Sequence, residues 1–325
     1  MESVLELKEK LQNVYAQYST YIDKAVRFVL AFVAFFMINR EIGYMHMLAN
    51  PVVALGLAVI CTFLPPIFTL VAGAVLTMAH VYSVSLGMLI VTALLFVIMY
   101  VFYLRFAPKT AIVILVVVTA YIAKIPAVAL VALGLLGTPA YAVPAALGTI
   151  AYYMIRQVKK SAAAVQAAKS SSFVNDMIKF SKQAVSSKEM WLMVIAGIIC
   201  IILVYTIRRA AMAHAWKAAS VVGASAYLIV AAAGGSVLGV KTSTTTLFVG
   251  AVVAVVTGLV LEIIFFAVDY SKCESLQFED DEYYYYVKAV PKMAVAVPEK
   301  RVKRITTQRA NQNVRHSHGK GKTRK

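Results

Sequence analysis

Residues 111–137 read AIVILVVVTAYIAKIPAVALVALGLLG. The stretch is apolar throughout except for Lys124 at its middle, which is followed at once by Ile125 and Pro126. A helix needs about 20 apolar residues to cross a bilayer, and the whole stretch exceeds that. Proline, however, cannot continue the helix before it and disfavours helical backbone at the residue it follows. Two half-length helices, each roughly 20 Å long, are therefore predicted on either side of the break. Backbone breaks persist at membrane depth only against protein or a water-filled cavity.

The rest of the chain follows the same rule. Of 325 residues, 61% are hydrophobic and 14% charged, well below the charge content of soluble domains. Apolar runs fill 25–156 and 191–268, and charge collects between and after them. The fold class predicted is all-α: a polytopic transmembrane helical bundle of about seven to nine spans, with proline-broken or re-entrant helices. Pro65 and Pro66 separate two short apolar runs, 51–64 and 66–80, and Pro139 and Pro144 mark further helix breaks. Residues 1–24 carry an apolar stripe at helical spacing (Val4, Leu7, Leu11, Val14, Tyr18, Tyr21), read as an amphipathic helix on the membrane surface or against the body. They lack the pattern of a cleaved signal peptide, so the first apolar span is expected to be retained.

Six segments result. They are the amphipathic helix 1–24, a broken-helix membrane unit 25–156, a polar amphipathic interlude 157–190, a three-span unit 191–268, an acidic-aromatic segment 269–298 and a basic tail 299–325. The tail is nearly free of large apolar side chains and reads as disordered by composition. The formal net charge is +17, much of it in the interlude and the tail. Such an excess points to topology and anionic lipid headgroups before nucleic acid, for which the chain offers no folded reader. The positive-inside tendency places the tail in the cytoplasm, but then exports the lysines of the interlude. Cys61, Cys200 and Cys273 show no metal-ligand or disulfide spacing.

Neither HExxH, GxSxG, a P-loop nor GxGxxG occurs, so no catalytic activity, cofactor or metal is expected. Charged residues inside spans are the better lead, because lipid burial of charge is expensive. Lys124 and Pro126 are candidates for a pathway or cavity, alternatively a lysine on the turn of a re-entrant hairpin. Glu262, in the last span, is a candidate partner for Lys124 or Arg208, alternatively a glutamate at headgroup level. His80 is expected to end a span and meet water, and Gly235 with Gly239 forms a GxxxG pair. Glu279, Asp280, Asp281 and Glu282 run into Tyr283, Tyr284, Tyr285 and Tyr286. That string is read as a partner-docking peptide or strand, against the plainer alternative of a juxtamembrane aromatic belt.

The string FEDDEYYYYVKAVPK at 278–292, with the break at Lys124, Ile125 and Pro126, resembles a group of polytopic membrane proteins of anaerobic Gram-positive bacteria. The resemblance covers the tail and parts of the last spans. It implies a bacterial plasma membrane and carries no activity or site residues. Two functions of different kinds fit the chain: a transporter or permease-like subunit with its pathway at the breaks, and a non-transporting scaffold that docks protein partners through the tail. A homo-oligomer is compatible with both.

Overall fold

A computed structural model describes residues 2–167, 173–210, 212, 214–240, 243–265, 274–279 and 284–289. Contacts divide the chain into two units, Met1–Phe266 and Ala267–Lys325. The first is helical: α1 Glu2–Ile42, α2 Pro51–Phe63, α3 Pro66–Tyr82, α4 Leu86–Met99, α5 Ala111–Ile122, α6 Pro126–Leu136, α7 Ala142–Ala167, α8 Phe173–Val185, α9 Lys188–Arg208, α10 Ala215–Leu238 and α11 Thr244–Phe265. Among the described residues, four helical segments are long and apolar enough to cross a membrane: Leu86–Leu104, Met177–Arg208, Ala215–Leu238 and Thr244–Phe265.

Helix starts follow local chemistry. The Asn50 side chain accepts from the Val52 N–H at 3.0 Å and opens α2. Prolines occupy the first turns of α2, α3 and α6, where the missing N–H has no helical partner to lose. The Ser187 hydroxyl accepts from the Met190 N–H at the start of α9. At residues 100–104, α4 widens into a π-helical turn, closed by Arg105 N–H donating to the Tyr100 carbonyl at 3.0 Å.

Contacts fix the directions of the helices. Close neighbours include Leu130 with Gly197 and, further along both chains, Gly134 with Val204, so α6 and α9 run parallel. Gly223 meets Val204 and Gly234 meets Leu192, so α10 returns antiparallel to α9. A Cβ added at Gly250 would lie 3.9 Å from the Lys124 carbonyl, and one at Gly258 would meet Ser220 and Leu135. One end of the unit therefore gathers Lys124, Glu189 and Gly239, and the other gathers Leu135, Arg208 and Ser220.

Two large apolar clusters fill most of the unit, and a smaller third joins α3, α4, α7 and α8 through Val81, Met88, Val158 and Phe180. One of the two joins α1–α4 to α5 and α7, the other joins α6 and α9–α11 to the same two helices. The short α5 and α6, of 12 and 11 residues, lie among helices of 21 to 26 residues. At 1.5 Å per residue the inner pair is about 17–18 Å long, against about 30 Å of hydrocarbon. Protein on several sides supplies what lipid cannot at their breaks.

Several sequence expectations change. The proposed boundary at residue 24 falls inside α1, which continues through a kink at Tyr18. The boundary at 156 falls inside α7, whose alternating burial carries it beyond the apolar run. α6 joins the C-terminal helices rather than the N-terminal ones. Gly239 ends α10 in left-handed backbone (φ 67°), and among the described residues nothing lies within 4 Å of where a Cβ would stand, so it takes no part in a GxxxG contact.

The second unit is described only at a two-stranded antiparallel hairpin, β1 Glu274–Glu279 and β2 Tyr284–Ala289, with Phe278 opposite Tyr285 and Glu279 opposite Tyr284. The strand expected at the tyrosines is present there, in an otherwise helical chain. Its partner strand had no marker of its own in the sequence. Asp280, Asp281, Glu282, Tyr283, Cys273 and the tail 299–325 lie outside the described residues.

Candidate functional site

Lys124 sits on the turn between α5 and α6, exposed, with φ 63°. The Lys124 N–H donates to Tyr121 O at 3.0 Å and the Ile125 N–H to Ala120 O at 2.9 Å. This pair of bonds closes a helix through a left-handed residue, a position that usually holds glycine because a Cβ is disfavoured there. The same pattern closes α10, where Gly239 and Val240 donate to Ser236 and Gly235. Lysine at one of two equivalent turns is thus a backbone strain of order 1 kcal/mol. Pro126 then opens α6. Gly250, six residues into α11, lies against this turn, which places it roughly 9 Å inside the start of α11.

The opposite end of α6 is held differently. Arg208, in the last turn of α9, donates to the carbonyls of Leu135 and Gly137, the latter at 3.4 Å. Its guanidinium also lies over the rings of Tyr205 and Trp216, 5.5 and 5.7 Å from their centroids. A cation at a helix C-terminus satisfies carbonyls with no helical partner and complements the dipole. The sequence offers Arg208 only as a candidate partner for Glu262. The signal available was a short helix, 126–136, with no capping group of its own.

Glu262 is half-buried on α11, twelve residues beyond Gly250 and so near the Arg208 end. It cannot reach Lys124, and Arg208 is engaged with α6. The expected pairings are not formed. Among the described residues, the ion pairs are Arg156 with Glu189 and Lys159 with Glu41, the second at 3.1 Å.

The first of those pairs was missed in the sequence. Glu189 lies on the first turn of α9 and Arg156 on α7, one turn beyond Tyr152 and Tyr153. The Tyr153 hydroxyl donates to the Glu189 carboxylate at 3.3 Å. Tyr121 stacks on Tyr152 at 5.1 Å between centroids and meets Tyr153 edge-on at 6.1 Å. Charges 33 residues apart in sequence, on different helices, leave no spacing to detect.

His80 is fully buried rather than water-facing. Its Nδ1 accepts from the Met45 N–H at 3.2 Å, which leaves the proton on Nε2 to donate to Asn39 Oδ1 at 2.9 Å. The Asn39 amide then donates to Leu48 O at 2.8 Å. This network ties α1, α3 and the loop 43–50 together, a structural role that satisfies each buried polar group.

Among the prolines, Pro65 and Pro66 form the α2–α3 turn, Pro139 starts a single 3-10 turn, and Pro144 is buried in the first turn of α7. They sit at helix ends and do not converge with Lys124. Glu279, Tyr284, Tyr285 and Tyr286 lie on the hairpin of the second unit, where Tyr284 and Tyr285 are exposed. No known protein family, curated protein or solved structure matches the chain. The fold and the disposition of these residues define a membrane protein with an inner pair of short helices.

Proposed function

We propose that the chain is a transporter or permease-like subunit of a bacterial plasma membrane, with the α5–α6 turn as the part that meets the solute. One observation carries this reading: an exposed lysine occupies a recessed left-handed turn where glycine would be less strained. Lys124 then contributes a cation, beside the N-terminus of α6, to an anionic solute. In this reading α1–α7 and α9–α11 pass alternately between the two ends, ten passes in all, above the seven to nine expected from the sequence. α2, α5 and α6 are too short to cross alone. The start of α1 and the end of α11 then share one side, taken as the cytoplasm from the basic composition of the tail.

The test uses proteoliposomes and the uptake of acetate, phosphate and sulfate. Uptake above that of empty liposomes, lost in Lys124→Gln and kept in Lys124→Arg, supports the reading. No uptake above the empty control, or equal uptake by Lys124→Gln, counts against it.

The exposed tyrosines of the hairpin favour a second reading, a scaffold that docks a protein partner along a strand. The full chain and a chain ending at residue 269 would then capture different partners in a pull-down. Identical partners would count against docking.

A further inference from the structure

Away from Lys124, a cleft of about 450 Å³ opens sideways between α3 and α4. Its floor is buried and apolar, formed by Ile114, Val118 and Ile155 from α5 and α7. Its rims are exposed: Phe68 and Val75 on α3, Val97 and Tyr100 on α4. An opening of this kind on the side of a membrane bundle faces acyl chains.

Its length and its charge narrow the occupant. Along α3 the lining runs from Ile67 to Met78, a rise of roughly 16 Å, about half of the ~30 Å hydrocarbon thickness. The cleft is therefore one leaflet deep. Its lining lies toward the end where α3 begins and α4 finishes. There α4 adopts its π-helical turn, and Arg105 and Lys109 follow directly. Both are exposed, and neither has an ion-pair partner among the described residues. The segment carrying Lys109 packs on α3, and the Thr110 hydroxyl donates to Tyr103 Oη at 3.2 Å. The two cations thus follow directly on the end of α4 that lines an apolar slot. Exposed Tyr100 and Phe106 at the same level fit a headgroup boundary.

We infer that this cleft binds one anionic phospholipid of the leaflet at that end, its acyl chain between α3 and α4 and its phosphate at Arg105 and Lys109. A zwitterionic lipid fills the slot equally well but leaves the cations without net negative charge beside them. Each Lys or Arg near a lipid surface favours an anionic headgroup by about fivefold, so the two together give roughly 30-fold.

The experiment incubates the purified full chain in mild detergent with equal amounts of phosphatidylglycerol and phosphatidylcholine of identical chains, and reads bound lipid by native mass spectrometry. Wild type should retain one lipid with a strong preference for phosphatidylglycerol. The surface variant Arg105→Gln/Lys109→Gln should keep a bound lipid but lose most of that preference, while the cleft-filling Ala93→Phe should lose the lipid. An unaltered preference in the double variant, or no retained lipid in wild type, overturns the proposal. So does a wild-type dimer that Ala93→Phe converts to monomer, which would make a second copy of the chain the occupant.

Discussion

Arg208 donates to the carbonyls of Leu135 and Gly137, tying the last turn of α9 to the end of α6. The two residues that meet, Arg208 and Leu135, are 73 positions apart, and the bond fixes the end of α6 opposite the Lys124 turn. Replacing Arg208 with Met leaves carbonyls without a donor in a site shielded from water. Thermal unfolding in detergent should show a loss of about 1.5–3 kcal/mol. Arg208→Lys should recover only part of it, because one ammonium cannot span two carbonyls and lie flat over Tyr205 and Trp216.

The Lys124 turn separates backbone from charge. Lys124→Gly relieves a left-handed residue and should stabilise by up to about 1 kcal/mol. Lys124→Val places a β-branched side chain there and should destabilise by more than that. If Lys124 serves anion passage, Lys124→Gly yields a more stable protein that transports less. A parallel rise in stability and uptake would contradict that role.

His80 offers a cleaner stability test. His80→Ala removes an acceptor from the Met45 N–H and a donor from Asn39, both within a buried network. Each group left without a partner costs about 1–3 kcal/mol. Chemical denaturation of His80→Ala and Asn39→Ala should show losses that are smaller in combination than in sum, since both dismantle one network. Additive losses would mean the two side chains act separately.

Arg156 and Glu189 lie at partly exposed positions, with 32% and 18% of their side chains accessible. Removing either charge alone strands the other beside Tyr152 and Tyr153. A double-mutant cycle with Arg156→Met and Glu189→Met should therefore give a favourable coupling of about 1–3 kcal/mol. Coupling near zero would reduce the pair to a solvated surface contact.

Two glycines separate helix propensity from close contact. At Gly148 an added Cβ would lie 2.9 Å from the Ile114 carbonyl and 3.0 Å from Val117 Cβ, neither of which can swing away. Gly148→Ala should loosen the α5–α7 contact and destabilise by about 1–3 kcal/mol. At Gly56 nothing lies within 4 Å, so Gly56→Ala should be neutral or stabilise by up to about 1 kcal/mol in the same assay.

Much of the architecture was legible because its signals are local. The Lys124, Ile125 and Pro126 break, the Pro65 and Pro66 turn and the long apolar spans rest on hydropathy and on proline's missing N–H. The interhelical features were not legible. Arg208 reads as a partner for Glu262 until α6 is known to end beside it. His80 reads as a span end facing water, and Glu189 gives no signal at all, until partners from distant helices arrive. Glu262 failed as a partner for the converse reason. Twelve residues of α11 separate it from the level of Lys124, a distance that hydropathy does not report. Likewise the strand at the tyrosines followed from propensity, whereas β1 became visible only through its pairing.

α5 and α6 form an inner hairpin whose Lys124 turn lies at the end holding Glu189 and Ser243, away from Thr138. Single cysteines test it directly, at Lys124, Ser243 and Thr138 in a background lacking the native three, with a membrane-impermeant maleimide applied to one face of sealed vesicles. Lys124→Cys and Ser243→Cys should label from one face and Thr138→Cys from the other. Labelling of Lys124→Cys from the same face as Thr138→Cys would contradict it.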